Sequence, residues 1–133
     1  MPAHIFIAED EESIVSLLKY NLEKEGYKVS TSDNGEDALK QIKEKQPDLI
    51  LMDWMLPDLS GVEICKNLKK DKKYNDLPVI MLTAKGEEED KLKAFDTGTD
   101  DYVTKPFSQK ELNARIKSLL RRSKPQSSVD VVE

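Results

Sequence analysis

The sequence predicts one three-layered α/β domain, a parallel sheet with helices packed on both faces. Three observations carry this expectation. Short apolar, β-branched runs alternate with longer segments of helical periodicity. The runs start at residues 4, 27, 49, 79 and 101, 22 to 30 residues apart, the length of one strand, one helix and two turns. Runs such as Leu49-Ile50-Leu51-Met52 are apolar without interruption, as a parallel strand covered on both faces must be. At 133 residues there is room for one such domain and little more.

The elements follow in order. His4 to Ala8 reads as the first strand, and Glu12 to Glu25 as a helix stopped by Gly26, whose missing Cβ suits a left-handed cap. Tyr27 to Ser32 is the second strand, and Asn34-Gly35 opens a second helix that must end before Pro47. The third strand, Leu49 to Met52, leads to Ser60-Gly61-Val62-Glu63, an S-x-x-E capping box in which the serine and the glutamate would both satisfy free N–H groups of a third helix. Val79 to Leu82 is the fourth strand. A fourth helix is expected from about Glu88 to Thr97, ending at Gly98, with Glu87-Glu88-Glu89-Asp90 matched to the positive end of its dipole. Asp101 to Thr104 is the fifth strand, and Ser108-Gln109-Lys110-Glu111 is a second capping box opening the fifth helix. Beyond Arg122 the chain turns polar and aperiodic, so the domain is expected over residues 1–122 and a linker or tail over 123–133.

Composition narrows the chemistry. The formal charge of −5 would repel nucleic acid phosphates and anionic lipid, which argues against direct DNA binding. Apolar runs of four residues fall far short of the roughly 18 needed to span a bilayer. Met1-Pro2-Ala3-His4 does not begin a secretory signal, and the expectation is a cytoplasmic protein. With Cys65 the only cysteine and His4 the only histidine, an internal disulfide, a Cys/His zinc site and a Cys/His catalytic pair are excluded. Any metal must be held by oxygen.

In open parallel sheets ligands sit beyond the carboxyl ends of the strands, where the strand order reverses. Glu9 and Asp10 follow the first strand, Asp53 the third, Thr83 the fourth and Lys105 the fifth, so polar residues from four elements should converge on one edge. Gathered carboxylates cannot all remain ionised unless a cation joins them or one takes a proton. Oxygen ligands favour Mg²⁺ or Mn²⁺, and Mg²⁺ commonly pairs with a phosphate oxygen, which makes a phosphoryl group the expected substrate.

Ala8-Glu9-Asp10-Glu11, the run Leu51-Met52-Asp53-Trp54-Met55-Leu56-Pro57 with Gly61, Leu82-Thr83-Ala84, and Asp100 through Phe107 closely resemble the receiver domain of bacterial two-component response regulators, in the OmpR/PhoB branch of transcription factors. The resemblance implies the flavodoxin-like (βα)5 fold, doubly wound, with strand order 2-1-3-4-5. It implies that Asp53 accepts a phosphoryl group from a sensor histidine kinase as a carboxylate nucleophile, and that Glu9, Asp10, Asp53 and the backbone carbonyl of Met55 hold Mg²⁺, for which Mn²⁺ can substitute. Lys105 would meet a phosphate oxygen through a cis bond to Pro106. Thr83 and Tyr102 would form a relay in which the hydroxyl moves to the phosphate and the ring turns into the vacated space. Trp54 would border the site, and Cys65 reads as a packing residue. Asp58 stands where many family members have glycine. The domain itself would be a switch and not an enzyme, reaching DNA only through an effector domain absent from this chain.

Two rivals fare worse. A flavin-phosphate cradle needs open N–H groups, whereas Glu9-Asp10-Glu11-Glu12 would repel the anion. Aspartyl phosphatases generally carry a second Asp two residues after the nucleophile, and here that residue is Met55. By the same resemblance, phosphorylation should drive a homodimer through the fourth helix, fifth strand and fifth helix. Lys91, Asp96 and Asp101 would face Glu111, Arg115 and Lys117, with Lys91–Glu111 and Asp101–Arg115 pairs each made twice across a two-fold axis.

Overall fold

The computed structural model describes residues 2–84 and 99–122. Five parallel strands, β1 (His4–Ala8), β2 (Lys28–Ser32), β3 (Leu49–Asp53), β4 (Val79–Ala84) and β5 (Asp101–Lys105), form one sheet in the order β2-β1-β3-β4-β5. This is the order expected for the flavodoxin-like fold. Helices α1 (Glu12–Lys24), α2 (Gly35–Lys45) and α3 (Gly61–Lys69) and the C-terminal helix (Gln109–Arg122) complete the described elements. The helix expected over 88–97 lies outside the described residues.

Successive residues of a strand point to opposite faces, and β3 shows the consequence. Leu49 and Leu51 join Ile5, Ile7, Leu18, Leu22, Ile80, Leu82, Leu112 and Ile116 in a core against α1 and the C-terminal helix, while Ile50 and Met52 join Phe6, Ala38, Ile42, Ile64, Leu68 and Met81 in a second core against α2 and α3. Each fully buried Leu or Ile contributes about 1.5–3 kcal/mol relative to an exposed one, so the unbroken apolar runs hold both layers at once.

Several boundaries move, each for a physical reason. β3, β4 and β5 extend past their apolar runs to Asp53, Ala84 and Lys105 because the ladder continues: Asp53 pairs with Leu82, Thr83 with Thr104 and Ala84 with Lys105. Asp53, Thr83 and Lys105 therefore sit within strands and not just after them, where the ladder to a neighbouring strand fixes their backbones. β2 starts at Lys28, and Gly26 carries the φ of +97° that closes the turn after α1. Both capping boxes are only half made. Ser60 Oγ accepts the Glu63 N–H at 3.2 Å and Ser108 Oγ the Glu111 N–H at 3.2 Å. The glutamates turn elsewhere, Glu63 to the Ser60 hydroxyl at 3.5 Å and Glu111 to Arg115 at 3.2 Å, a neighbour one helical turn on that offers an opposite charge.

Gly61 opens α3 with its N–H donated to the Trp54 carbonyl at 3.1 Å. A Cβ at this position would overlap the Asp53 carbonyl oxygen and lie 2.9 Å from Met52 Cγ. Alanine ordinarily favours a helix over glycine by about 1 kcal/mol, yet Gly61→Ala is expected to destabilise by about 1–3 kcal/mol because β3 backbone cannot give way. Denaturant unfolding checks this, and a neutral or stabilising result would mean that the end of β3 is free to shift.

Candidate functional site

The strand order reverses between the parallel neighbours β1 and β3, and the register there places Ala8 opposite Met52. One residue further, Glu9 stands beside Asp53. Glu9, Asp10 and Asp53 each bring a carboxylate oxygen within 4.8 Å of the others, with Glu9 and Asp53 buried and Asp10 exposed. Lys105, from the end of β5, reaches across to Glu9 Oε1 at 2.9 Å and Asp53 Oδ1 at 3.4 Å. Backbone donors complete the hold: Glu11 N–H reaches Glu9 Oε2 at 3.0 Å, and Met55 N–H reaches Asp53 Oδ1 at 3.3 Å.

The electrostatics follow from this crowding. Burial first, and then the negative Glu9 beside it, push the Asp53 carboxyl up to about 7, against the pull of Lys105 and the Met55 N–H. Burial works against the Lys105 ammonium, but the Glu9 hydrogen bond and the Asp53 charge outweigh it, and its pKa is raised. One ammonium reaches two of the three carboxylates, which leaves the cluster with fewer cations than acids. A hard divalent cation suits such a donor set, because carboxylate oxygens gathered within 4.8 Å of one another gain most from a compact charge placed among them.

Thr83 is fully buried, and its hydroxyl has no hydrogen-bond partner among the described residues. Tyr102, opposite Met81 on β5, is half-buried and packs against the α2/α3 core. Trp54 does not line the site with its ring: the side chain is buried in the same core, and its backbone N–H is donated to the Leu82 carbonyl at 3.0 Å. Met55 next to it is exposed. The Lys105–Pro106 bond is cis.

The residues expected to form a dimer face are arranged differently. Arg115 pairs within the chain, to Asp101 at 2.6 Å and Glu111 at 3.2 Å, so the Asp101–Arg115 pair expected across a two-fold axis is made inside one subunit. Lys117 lies on another side of the helix, 3.7 Å from Glu25, just past α1. Two residues are about 200° of helical turn, so Arg115 and Lys117 cannot share a face. Lys91 and Asp96 lie outside the described residues.

Sequence reasoning missed the work of Asp58, whose carboxylate accepts the Gly35 N–H at 2.6 Å and the Glu36 N–H at 3.0 Å. Only its departure from the family's glycine marked it.

Comparison with known proteins places this geometry. The model of the response regulator receiver domain matches residues 5–117, and the chain belongs to that family. It is 54% identical over 123 residues to the alkaline phosphatase synthesis transcriptional regulatory protein PhoP of Bacillus subtilis (strain 168), covering 92% of this chain and 50% of PhoP. The chain spans about half the length of the curated relatives it matches. Among solved structures, the Francisella response regulator 1452 receiver domain superposes with a TM-score of 0.84 at 35% identity, covering 91% of this chain and 98% of that one. The receiver domain of sensor histidine kinase PA1611 from Pseudomonas aeruginosa PAO1, solved with a magnesium ion coordinated in its active-site cleft, gives 0.83 at 27% identity, covering 90% of this chain and 98% of that one. No helix among the described residues is long and apolar enough to cross a membrane.

Proposed function

We propose that this domain is the phosphoacceptor switch of a transcriptional response regulator, with Asp53 as the acceptor. The observation that carries the reading is the convergence of Glu9, Asp10 and Asp53 within 4.8 Å, with Lys105 reaching two of them, at the sheet's point of reversal. An Asp53 oxygen attacks phosphorus, the bond from phosphorus to the donor's imidazole nitrogen breaks, and an acyl phosphate remains on β3. Glu9, Asp10 and Asp53, with the Met55 carbonyl, would hold Mg²⁺ or Mn²⁺, which neutralises charge on the transferring phosphoryl oxygens; the magnesium bound by the PA1611 receiver supports this. Lys105 offers its ammonium to another phosphoryl oxygen. The partner-free Thr83 hydroxyl is available to a third, and its movement would open the space into which Tyr102 turns. The donor is a sensor histidine kinase, and the output passes to an effector domain joined to this one.

Acetyl phosphate with Mg²⁺ should add one phosphoryl mass to the protein, and Asp53→Ala should abolish the gain. An alanine variant that still gains the mass would remove Asp53 from this role.

Phosphorylation then favours a symmetric dimer through the fourth helix expected over 88–97, β5 and the C-terminal helix. Exposed ion pairs contribute only about 0–1 kcal/mol each, and Arg115 must share Asp101 between its own chain and its partner's, so the dimer should be weak and loosen with salt. Sedimentation with beryllofluoride, a phosphoryl mimic, should show dimers that Arg115→Glu disrupts. Dimers indifferent to that reversal would place the interface elsewhere.

A further inference from the structure

We propose that Asp58 is a positioning residue for the metal site, tying the loop that follows Asp53 to the N-terminus of α2; this rests on the reading of the site given above. The two Asp58 oxygens take one backbone N–H each, from Gly35 at 2.6 Å and Glu36 at 3.0 Å. These are the first two residues of α2, whose N–H groups have no partner within the helix and carry the positive end of its dipole. Asn34 serves a different donor, the Asp37 N–H, at 2.9 Å. The Glu36 and Gly35 N–H groups hold the Asp58 carboxyl below the ordinary carboxylate range.

Asp58 bridges 23 residues of sequence to reach Gly35, so its bonds join separate parts of the fold. The loop 54–60 is closed at its base by the Gly61 N–H on the Trp54 carbonyl at 3.1 Å, and near its start by the Met55 N–H on Asp53 at 3.3 Å. Asp58 holds the far side. The approach is close: a Cβ on Gly35 would overlap the Leu59 carbonyl oxygen. The helix to which the loop is tied is itself anchored to the other half of the site, since Asp37 Oδ2 accepts the Ser32 hydroxyl at 2.7 Å and the Ser32 carbonyl accepts the Glu9 N–H at 3.0 Å. Asp58 thus closes a ring of bonds running from Glu9 through Ser32, α2 and the loop back to Asp53. Without it, the segment bearing Glu9 and the loop bearing Met55 lose this hydrogen-bonded link through α2, and only packing against the helix remains.

Calorimetric titration of Mg²⁺ into the whole chain tests this with three variants. Asp58→Gly should weaken Mg²⁺ binding about tenfold, the scale of losing an outer support of a metal ligand. Asp58→Asn removes the same charge but keeps one acceptor, and should weaken binding less. Asn34→Ala removes a cap from the same helix without touching the loop; it should lower the melting temperature and leave Mg²⁺ binding unchanged. Equal affinity in Asp58→Gly and the parent would overturn the proposal, as would equal losses in Asp58→Gly and Asp58→Asn, which would reduce the effect to charge, or an Asn34→Ala loss as large as that of Asp58→Gly. A parent chain that binds no Mg²⁺ at millimolar concentration would instead refute the reading of the site itself.

Discussion

Lys105→Ala is expected to slow phosphorylation of Asp53 by acetyl phosphate by about 10²–10³-fold, the usual cost of removing one fixed donor from a developing oxyanion. Two effects act in the same direction. The ammonium that lies 3.4 Å from Asp53 Oδ1 is no longer there to meet a phosphoryl oxygen. Glu9, 1% exposed and paired to Lys105 at 2.9 Å, also keeps a buried charge with less to balance it, which drives the neighbouring Asp53 further toward its protonated, unreactive form. Lys105→Arg keeps the charge on a planar group that does not replace a compact ammonium, and should recover only part of the rate. A time course of the phosphoryl mass gain measures both variants. A Lys105→Ala rate within a few-fold of the parent would show that the ammonium does not touch the reacting group.

Asp53→Asn is expected to stabilise the metal-free protein. The Asp53 carboxyl sits at about 7 against an ordinary 3.8, so the folded state retains a proton that the unfolded chain has released. Where the native state binds more protons, stability falls as pH rises. The loss begins near pH 4 and is complete above pH 7. At about 1.4 kcal/mol per unit, its upper bound is about 4 kcal/mol. A neutral amide in place of the carboxyl carries no such cost, so without Mg²⁺ the variant should be about 2–4 kcal/mol more stable at pH 7.5 and nearly equal to the parent at pH 4. Mg²⁺ should raise the parent's melting temperature and do much less for the variant. A variant destabilised at pH 7.5 without metal would mean that Asp53 is held there comfortably as an ion.

These expectations rest on residues that differ in how readily the sequence discloses them. Leu49 to Met52 could be read as a buried strand because both of its faces are apolar. Glu9, Asp10, Asp53 and Lys105 stood out because a parallel sheet leaves its ligand groups at the ends of such runs. Facts that depend on contacts across the fold could not be read locally. Nothing around Asp58 announces that Gly35 and Glu36, 23 and 22 residues earlier, present their N–H groups to it. Gly61 looks like a helix glycine until the Asp53 carbonyl is seen to fill the space of its Cβ. Trp54, next to Asp53 in sequence, turns its ring into the opposite core because adjacent residues leave a strand on opposite sides. The dimer face expected from the resemblance set Arg115 and Lys117 together, whereas the helical angle between them puts them on different sides.

The central claim is that Asp53 carries the phosphoryl group. An acyl phosphate is reduced by borohydride to an alcohol, which converts a phosphorylated aspartate to homoserine and leaves free carboxylates untouched. Protein treated with acetyl phosphate and Mg²⁺, then with borohydride, should yield on proteolysis one modified peptide, with homoserine in place of Asp53. Homoserine in place of Asp10, or no homoserine from protein that had gained the phosphoryl mass, would contradict the account.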